Sequence, residues 1–205
     1  MIFAKDITKT YGDRIIFSSL SFELEDGLRY ILHGPSGSGK TTLLGILAGT
    51  DKSYSGRIES DKSSVHGSAP IASLSFQGGN LLPWLSALDN VLLLDKAPES
   101  RKKAEAILAG LGIPDVSKYP DELSGGMKNR VGIARCLMKD AELYLFDEPF
   151  AGLDAKSIEL VSECIIRYTQ EKTVLAVIHD SVSCPRFDGT RIAFSGSPIS
   201  SLEFQ

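Results

Sequence analysis

A glycine-rich loop between a strand-like and a helix-like segment constrains this chain more than any other feature. Residues 34–41 read GPSGSGKT and fit the pattern G-x-x-x-x-G-K-[ST] of phosphate-binding loops. Residues 29–33 before the loop resemble a short strand, and residues 42–48 after it are apolar at helical spacing. Because the pattern has the strand–loop–helix context that it requires, the sequence predicts a phosphate site rather than a chance glycine-rich turn.

The chemistry of this loop predicts a nucleoside triphosphate as its ligand. Its glycines let successive main-chain N–H groups surround a polyphosphate, and the positive end of the following helix faces the anion. Lys40 adds a mobile positive charge, and the Thr41 hydroxyl can bind Mg²⁺. We therefore expect ATP or GTP. The predicted nucleotide contacts here are Gly34, Pro35, Ser36, Gly37, Ser38, Gly39, Lys40, Thr41 and Thr42.

Composition narrows the possible partners and compartments. The chain has 205 residues, enough for one domain or for a domain with a small subdomain, and a net charge of −4. No global basic field attracts it to nucleic acid or to anionic lipid. It contains neither an apolar run of membrane-span length nor a signal-peptide pattern, so we expect it to remain in the cytosol without crossing a membrane. Its three cysteines are far apart and lack metal-ligand spacing, which predicts reduced thiols in packing roles.

Short β-rich runs alternate with helical patterns along the chain, which is typical of an α/β sheet covered by helices. The predicted strands are Phe3–Thr8, Ser21–Leu24, Arg29–His33, Ile71–Phe76, Glu142–Phe146, Thr173–Ile178 and Arg191–Phe194. The predicted helices are Gly39–Ala48, Arg101–Ala109, Gly126–Lys139 and Asp154–Gln170. Residues 78–118 lack β-rich runs, so we interpret them as part of a helical subdomain inserted between sheet strands. The serine-rich residues 60–68 are the best candidate for a mobile surface loop.

A second motif is an apolar run, residues 143–146, that ends in Asp147 and Glu148. A carboxylate at the end of a parallel strand beside a phosphate loop can hold Mg²⁺, directly or through water, and this is the predicted role of Asp147. Glu148 would then face the γ-phosphate and orient or deprotonate the attacking water. An isolated run of this kind is more often a strand followed by a solvated turn. Together with the phosphate loop, it favours a catalytic site.

A third motif, Leu123, Ser124, Gly125, Gly126 and Met127, leads into a helical pattern. Ser124 can cap the helix while the two glycines expose main-chain N–H groups, which gives a second anion-binding surface. One polyphosphate does not need two such loops in one subunit. Here the chain resembles the ATP-binding cassette (ABC) family, whose signature motif is Leu-Ser-Gly-Gly-Gln. The resemblance implies a head-to-tail dimer with each ATP between one subunit's phosphate loop and the other's signature motif.

The same resemblance implies a fold and a division of the chain. We expect a P-loop NTPase core with a mostly parallel sheet, a small antiparallel β-subdomain and an inserted helical subdomain. A single ABC ATPase domain would cover residues 1–205. Its RecA-like core and β-subdomain would take residues 1–77 and 140–205, and its helical subdomain approximately residues 78–139.

Four further positions match the family pattern and carry implied roles. Tyr11 would stack on adenine, Gln77 would contact Mg²⁺ and the attacking water, Asp154 would face the opposite subunit, and His179 would reach the γ-phosphate. Each position also has a plainer interpretation. These are an exposed tyrosine at a strand end, a loop amide, a helix cap and a structural histidine, and for Asp154 both interpretations can hold together.

Residues 80–91 follow Gln77 and resemble the corresponding stretch of bacterial importers of the nitrate, sulfonate and taurine type. In that family the region receives a short coupling helix of the membrane permease, so Leu81, Leu82 and Trp84 are the predicted permease groove. The competing interpretation is that these side chains fill the core of the helical subdomain. The resemblance also implies a peripheral position on the inner face of the cell membrane and an indirect link to a substrate-binding protein, with no nucleic-acid partner.

The expected function is therefore transport-coupled ATP hydrolysis, most simply for an importer. Two positions depart from the family pattern. Met127 stands where glutamine is commonest, and Pro185 lies in a segment that usually forms a helix. The alternatives are an exporter cassette of the haem or lipoprotein type, a soluble ABC ATPase acting on DNA or ribosomes, and an adenylate or nucleoside kinase. A kinase would leave the third motif and His179 unexplained.

Overall fold

A computed structural model describes residues 1–62, 68–93, 97–179 and 184–205 of the chain. Its strands, numbered in chain order, are β1 (Ile2–Tyr11), β2 (Arg14–Leu24), β3 (Arg29–His33), β4 (Ser55–Ser60), β5 (Ala72–Ser75), β6 (Leu143–Asp147), β7 (Thr173–Val177), β8 (Thr190–Gly196) and β9 (Ile199–Phe204). Its helices are α1 (Lys40–Leu47), α2 (Ala87–Val91), α3 (Pro98–Gly110), α4 (Gly125–Met138) and α5 (Ala155–Tyr168), with a 3₁₀ turn at Pro120–Glu122.

In the described part of the chain, the strands form one sheet in the order β4-β1-β2-β9-β8-β3-β7-β6-β5. The region from β8 to β5 is parallel, with β3 between β8 and β7, and β6 between β7 and β5. β1 pairs antiparallel with β2 and β4, and β8 with β9. The strands β4, β1 and β2 join the rest of the sheet through one parallel residue pair between β2 and β9, Phe17 with Ile199. The sequence prediction of an α/β fold with a mostly parallel core is confirmed.

The central strands are buried because helices cover both faces of the sheet. Every residue of β6 and β7 is buried, and both strands are rich in aliphatic and aromatic residues, as parallel strands covered on both sides require. One apolar cluster joins one face of the sheet to the side chains of α2 to α5. A second cluster joins the other face to α1 and to the antiparallel strands.

The helices between β5 and β6 form a packed layer. α4 packs against α2, α3 and the adjoining strand β5. The described residues between 78 and 139 contain no strand, as the sequence predicted. The apolar side chains of this layer belong to the same cluster as α5 and the sheet, so its core is continuous with that of the sheet. The division into subdomains remains a prediction.

Each segment predicted as a strand or a helix overlaps an element of that type, but the sequence missed three elements. These are β4, β9 and the short helix α2. Residues 63–67 of the predicted mobile loop, and residues 180–183 ahead of Pro185, lie outside the described residues. Cys136 and Cys164 are buried free thiols, and burial raises the pKa of each to about 12. Among the described residues, no helix is both long and apolar enough to span a membrane.

Candidate functional site

The predicted chemical residues converge at one edge of the sheet. The phosphate loop follows β3, Gln77 follows β5, Asp147 ends β6, and His179 comes shortly after β7. These four strands are parallel, so their carboxyl ends share one edge, which is where α/β sheets bind ligands. A cleft of about 290 Å³ lies there. It is lined by Tyr11, Arg14, Ile16, Ser36, Gly37, Gly39, Lys40, Thr41, Thr42, Gln77, Asp147 and Glu148.

The phosphate loop is shaped by close packing against β2. Gly39 has φ of +96°, and a Cβ atom at this position would lie 2.7 Å from Cγ2 of Ile16. A side chain here would be both strained and obstructed, so the turn into α1 requires glycine. The Oγ atom of Ser38 is buried and has no hydrogen-bond partner among the described residues. A hydroxyl donor left unpaired inside a phosphate loop fits an oxygen-rich ligand.

Two cations lie at the loop. The Lys40 ammonium donates to the carbonyl oxygens of Gly34, at 2.8 Å, and Pro35, at 2.7 Å. The Arg14 guanidinium donates to the carbonyl of Gly37 at 3.1 Å. Sequence reasoning missed Arg14, because the loop pattern covers residues 34–41 and Arg14 reaches the loop from β2. Its position three residues after Tyr11, across a tight turn, is the only sequence signal for it.

Thr41 and Asp147 form a hydrogen-bonded pair, with the Thr41 hydroxyl donating to Oδ2 of Asp147 at 2.8 Å. Asp147 is buried, and this burial raises the pKa of its carboxyl, while the hydrogen bond from Thr41 acts in the opposite direction. Adjacent hydroxyl and carboxylate oxygens are the ligands that Mg²⁺ prefers. No cluster of three or more His, Cys, Asp or Glu side chains that could hold a metal ion occurs among the described residues. The donor set thus fits a Mg²⁺ ion held by few protein ligands together with substrate phosphates.

Gln77 and Glu148 meet at the cleft, although they are far apart in the sequence. The amide Nε2 of Gln77 donates to Oε2 of Glu148 at 2.8 Å. Glu148 has φ of +50°, in the left-handed region, and its main-chain N–H donates to Val177 O at 3.1 Å. A strained residue of this kind costs ~1 kcal/mol and is found most often at functional sites. The strand end therefore aims this carboxylate into the cleft.

Tyr11 lies at the cleft entrance, with 53% of its surface exposed. Its hydroxyl donates to Oδ2 of Asp51 at 3.3 Å, and the Lys9 ammonium lies 4.6 Å from the ring centroid. Lys9 is almost fully buried and forms an ion pair with Asp51 at 2.7 Å. The hydrogen bond from Lys9 is the main cause that lowers the pKa of the Asp51 carboxyl. Lys9 and Asp51 thus fix the position of the Tyr11 ring, and its exposed surface is accessible to a planar ligand.

The third motif lies outside this cleft. Ser124 caps α4, since its Oγ accepts a hydrogen bond from the main-chain N–H of Met127 at 3.2 Å. A Cβ atom on Gly125 would meet nothing within 4 Å, so the surface around it is open. Leu123 is buried, and Met127 packs partly against the core. None of the motif's five residues lines the cleft, which makes it a separate surface at a helix N-terminus.

Asp154 and His179 lie at the start of α5 and just after β7, respectively. Asp154 caps α5 by accepting a hydrogen bond from the Ser157 N–H at 2.8 Å. The pKa of its carboxyl is lowered mainly by the Ser157 side chain and next by this N–H. His179 is exposed after β7 and shares a small recess with Glu148. The structure therefore places His179 beside Glu148 at the carboxyl-end edge of the sheet and shows Asp154 as a helix cap, while the other roles predicted for both residues remain predictions.

The three residues of the predicted groove differ in burial. Leu81 packs against the main core cluster, and Leu82 is partly buried. Trp84 is 68% exposed, so it does not fill the core of the helical layer. A separate cavity of about 550 Å³ borders the end of the same segment at Val91 and Leu93. Its remaining lining residues are Ser73, Leu74, Ser100, Lys103, Arg135, Cys136, Met138 and Lys139.

Comparisons with known proteins agree on one family. Residues 17–151 match the ABC transporter family. The chain is 40% identical over 185 residues to the aliphatic sulfonates import ATP-binding protein SsuB 2 of Rhodococcus jostii, covering 86% of this chain and 71% of that protein. It is 35% identical over 196 residues to HrtA of Staphylococcus epidermidis, an ATP-binding protein named for hemin import, covering 86% of this chain and 88% of that one.

A solved structure extends this agreement to the fold. The dimeric structure of a post-hydrolysis state of the ATP-binding cassette MJ0796, bound to ADP and Pi, is similar with a TM-score of 0.84. The alignment covers 100% of this chain and 98% of that one at 28% sequence identity.

Proposed function

Because the chain belongs to the ABC transporter family and is an ATPase of that family, we propose that it powers a separate membrane permease that imports a small molecule. The main support for this proposal is Trp84, which is 68% exposed. It lies in the stretch that resembles importers of the nitrate, sulfonate and taurine type. A tryptophan exposed to this extent can bury its ring against an apolar surface of a partner protein, and tryptophan is enriched at such interfaces. The sulfonate importer relative supports a sulfonate-like substrate.

The geometry of the cleft and the family resemblance together support the following roles. Lys40 and the loop N–H groups bind the phosphates, and the Tyr11 ring receives adenine. Thr41, Asp147 and Gln77 would hold Mg²⁺, which would supply charge stabilisation to the phosphates. Glu148 accepts a proton from the water that attacks the γ-phosphorus, while the bond from that phosphorus to the ADP oxygen breaks. Gln77 orients the same water from its contact with Glu148, and His179 contacts the γ-phosphate from the recess beside it.

The complete site requires a second copy of the chain. The third motif presents N–H groups on an open surface outside the cleft, so it is available to the nucleotide of another subunit. A head-to-tail dimer would bring this motif against the opposite phosphate loop, with Asp154 at the contact. The dimeric structure of the similar cassette supports this arrangement. The permease would hold the dimer on the inner face of the cell membrane, and a substrate-binding protein would act through the permease.

An experiment on Trp84 tests the permease proposal. Trp84→Ala is expected to keep the ATPase activity of the isolated subunit, because Trp84 has no contact in the cleft. Aromatic anchors at interfaces typically contribute at least ~2 kcal/mol, so co-purification with its permease should fall more than ~10-fold. Phe204→Ala is the matched control, since Phe204 is also an exposed aromatic residue but lies on β9. Unchanged co-purification of Trp84→Ala would place the permease contact elsewhere and remove the main support for an importer.

A further inference from the structure

Helix α4 contacts both of the loops that carry the catalytic side chains. Nη2 of Arg135 donates to the carbonyl oxygens of Gly79, at 2.6 Å, and Asn80, at 3.0 Å. These two residues lie two and three positions after Gln77 in the loop after β5. On the same helix, the buried side chain of Asn129 donates through Nδ2 to Pro149 O at 3.0 Å. Pro149 is the residue after Glu148, so one helix holds the loops on both sides of the Gln77–Glu148 hydrogen bond.

The loop after Gln77 lies directly against the backbone of α4. A Cβ atom at Gly132 would lie 2.4 Å from Cα of Gly79, and a Cβ atom at Gly79 would lie 2.2 Å from the carbonyl oxygen of Lys128. Neither distance leaves room for a side chain between loop and helix. Because main-chain atoms of the loop and the helix are closely packed, neither can move toward the other, and a displacement of α4 would also displace the loop.

The Arg135 guanidinium adds charged hydrogen bonds to the packing between α4 and the loop after Gln77. It is half-buried, and burial lowers the pKa of the guanidinium, which nevertheless stays charged. In the described part of the chain, its hydrogen-bond acceptors are the two loop carbonyls. Hydrogen bonds from a charged donor are roughly twice as strong as those between neutral groups. Arg135 therefore fixes the conformation of the loop main chain and takes part in no ion pair with a described carboxylate.

We propose that Arg135 is a positioning residue for ATP hydrolysis, which holds Gln77 against Glu148 by fixing the carbonyl groups of Gly79 and Asn80. The inference rests on the roles proposed above for Gln77 and Glu148. Asn129 ties the other loop to the same helix, so loss of Arg135 displaces Gln77 while Glu148 stays in place. The helix that presents the signature motif at its N-terminus thereby also aligns the catalytic pair of its own subunit.

A double-mutant cycle tests this role in the full-length chain. Arg135→Met and Arg135→Lys are made in the parent and in Gln77→Ala, and kcat and KM for ATP are measured with Mg²⁺ present. In the parent, Arg135→Met should lower kcat ~10-fold or more, because small misplacements of catalytic groups have effects of this size. The KM for ATP should stay within about 2-fold, since the phosphate loop is unchanged. Arg135→Lys should recover part of kcat, because an ammonium group can donate to one of the two carbonyls.

In the Gln77→Ala background, Arg135→Met should have no further effect on kcat, since the group that it positions is already missing. Arg130→Met is the matched control. Arg130 also lies on α4 and donates to two main-chain carbonyls, but these belong to Gly126 in the first turn of α4 and to Leu111 at the end of α3, and neither lies in the loop after β5. Its effect on kcat should therefore combine additively with that of Gln77→Ala.

The possible outcomes separate this inference from the proposal on which it rests. If Gln77→Ala leaves kcat unchanged, the proposed role of Gln77 fails and the Arg135 inference fails with it. If Gln77→Ala lowers kcat but Arg135→Met lowers it by the same factor in both backgrounds, only the Arg135 inference is overturned. If Arg135→Met does not fold, the double-mutant cycle is measured with Arg135→Lys instead. A rise in KM that matches the loss of kcat would also overturn a positioning role.

Discussion

Replacing Gly132 by alanine tests the close contact between α4 and the loop after Gln77. The new Cβ atom would begin 2.4 Å from Cα of Gly79 and 3.0 Å from its carbonyl oxygen. Non-bonded carbon atoms prefer a separation of about 3.5–4.0 Å, so loop and helix must move apart by more than ~1 Å. Alanine inside a helix gains ~1 kcal/mol over glycine, whereas overpacking costs about 1–3 kcal/mol. We expect the free energy of unfolding to fall by about 0–2 kcal/mol.

The same displacement should affect turnover more strongly than stability. A shift of ~1 Å at catalytic groups can lower the rate by as much as ~10²-fold, so kcat of Gly132→Ala should fall while ATP still binds. Gly110→Ala is the control, because a Cβ atom on Gly110 would lie 3.7 Å from Sγ of Cys164, an ordinary contact. Urea unfolding should show this control to be as stable as the parent or more stable. If Gly132→Ala matched the control in both stability and turnover, the contact would not be as tight as the argument requires.

Three further predictions address chemistry, assembly and pH. Glu148→Gln should bind ATP but hydrolyse it at least ~10²-fold more slowly, and Lys40→Ala should bind ATP poorly; near-normal steady-state hydrolysis by Glu148→Gln would exclude the carboxylate as the base. Sedimentation of Glu148→Gln should show a dimer with ATP and Mg²⁺, and a monomer under that condition would contradict the composite site. Asp51→Asn should lose about 1–3 kcal/mol of unfolding free energy at pH 7, because it leaves buried Lys9 without its carboxylate. The pKa of Asp51 is lower in the folded than in the unfolded state, so its carboxylate stabilises the fold above the unfolded pKa, and this stabilisation is lost as the pH falls through the folded pKa. In urea unfolding, the difference in unfolding free energy between Asp51→Asn and the parent should therefore shrink below about pH 4.

The sequence predicted the parallel core well, because its strands are continuous apolar runs with clear boundaries. It predicted β2 only from Ser21, whereas the strand begins at Arg14. Register shifts interrupt the pairing of β1 with β2, and Asp6 and Ser19 have positive φ. Such bulges break the two-residue alternation that identifies a strand. The missed helix α2 has only five residues, too short to show a helical period.

For the candidate site, local motifs were predictable and contacts between loops were not. The phosphate loop and the acidic pair are short patterns whose chemistry is contained in consecutive residues. The hydrogen bond between Gln77 and Glu148 depends on sheet order, which places β5 next to β6. Arg135 carried no signal at all, because its acceptors are main-chain carbonyls that any residue could supply. Family resemblance contributed the roles of Tyr11 and His179, and these remain predictions.

The left-handed backbone at Glu148 makes stability and turnover compete at one position, because the residue that supplies the base is also a strained one. Glycine or asparagine adopts φ of +50° with less strain than glutamate, so either replacement would relieve up to ~1 kcal/mol. Neither side chain carries a carboxylate that could reach the attacking water. A copy of this chain released from hydrolysis, for example one that paired with an active subunit, would gain stability by losing its base. Replacement of Glu148 in such a duplicate would therefore not lower the stability of the fold, whereas a return to glutamate would restore both the base and the backbone strain.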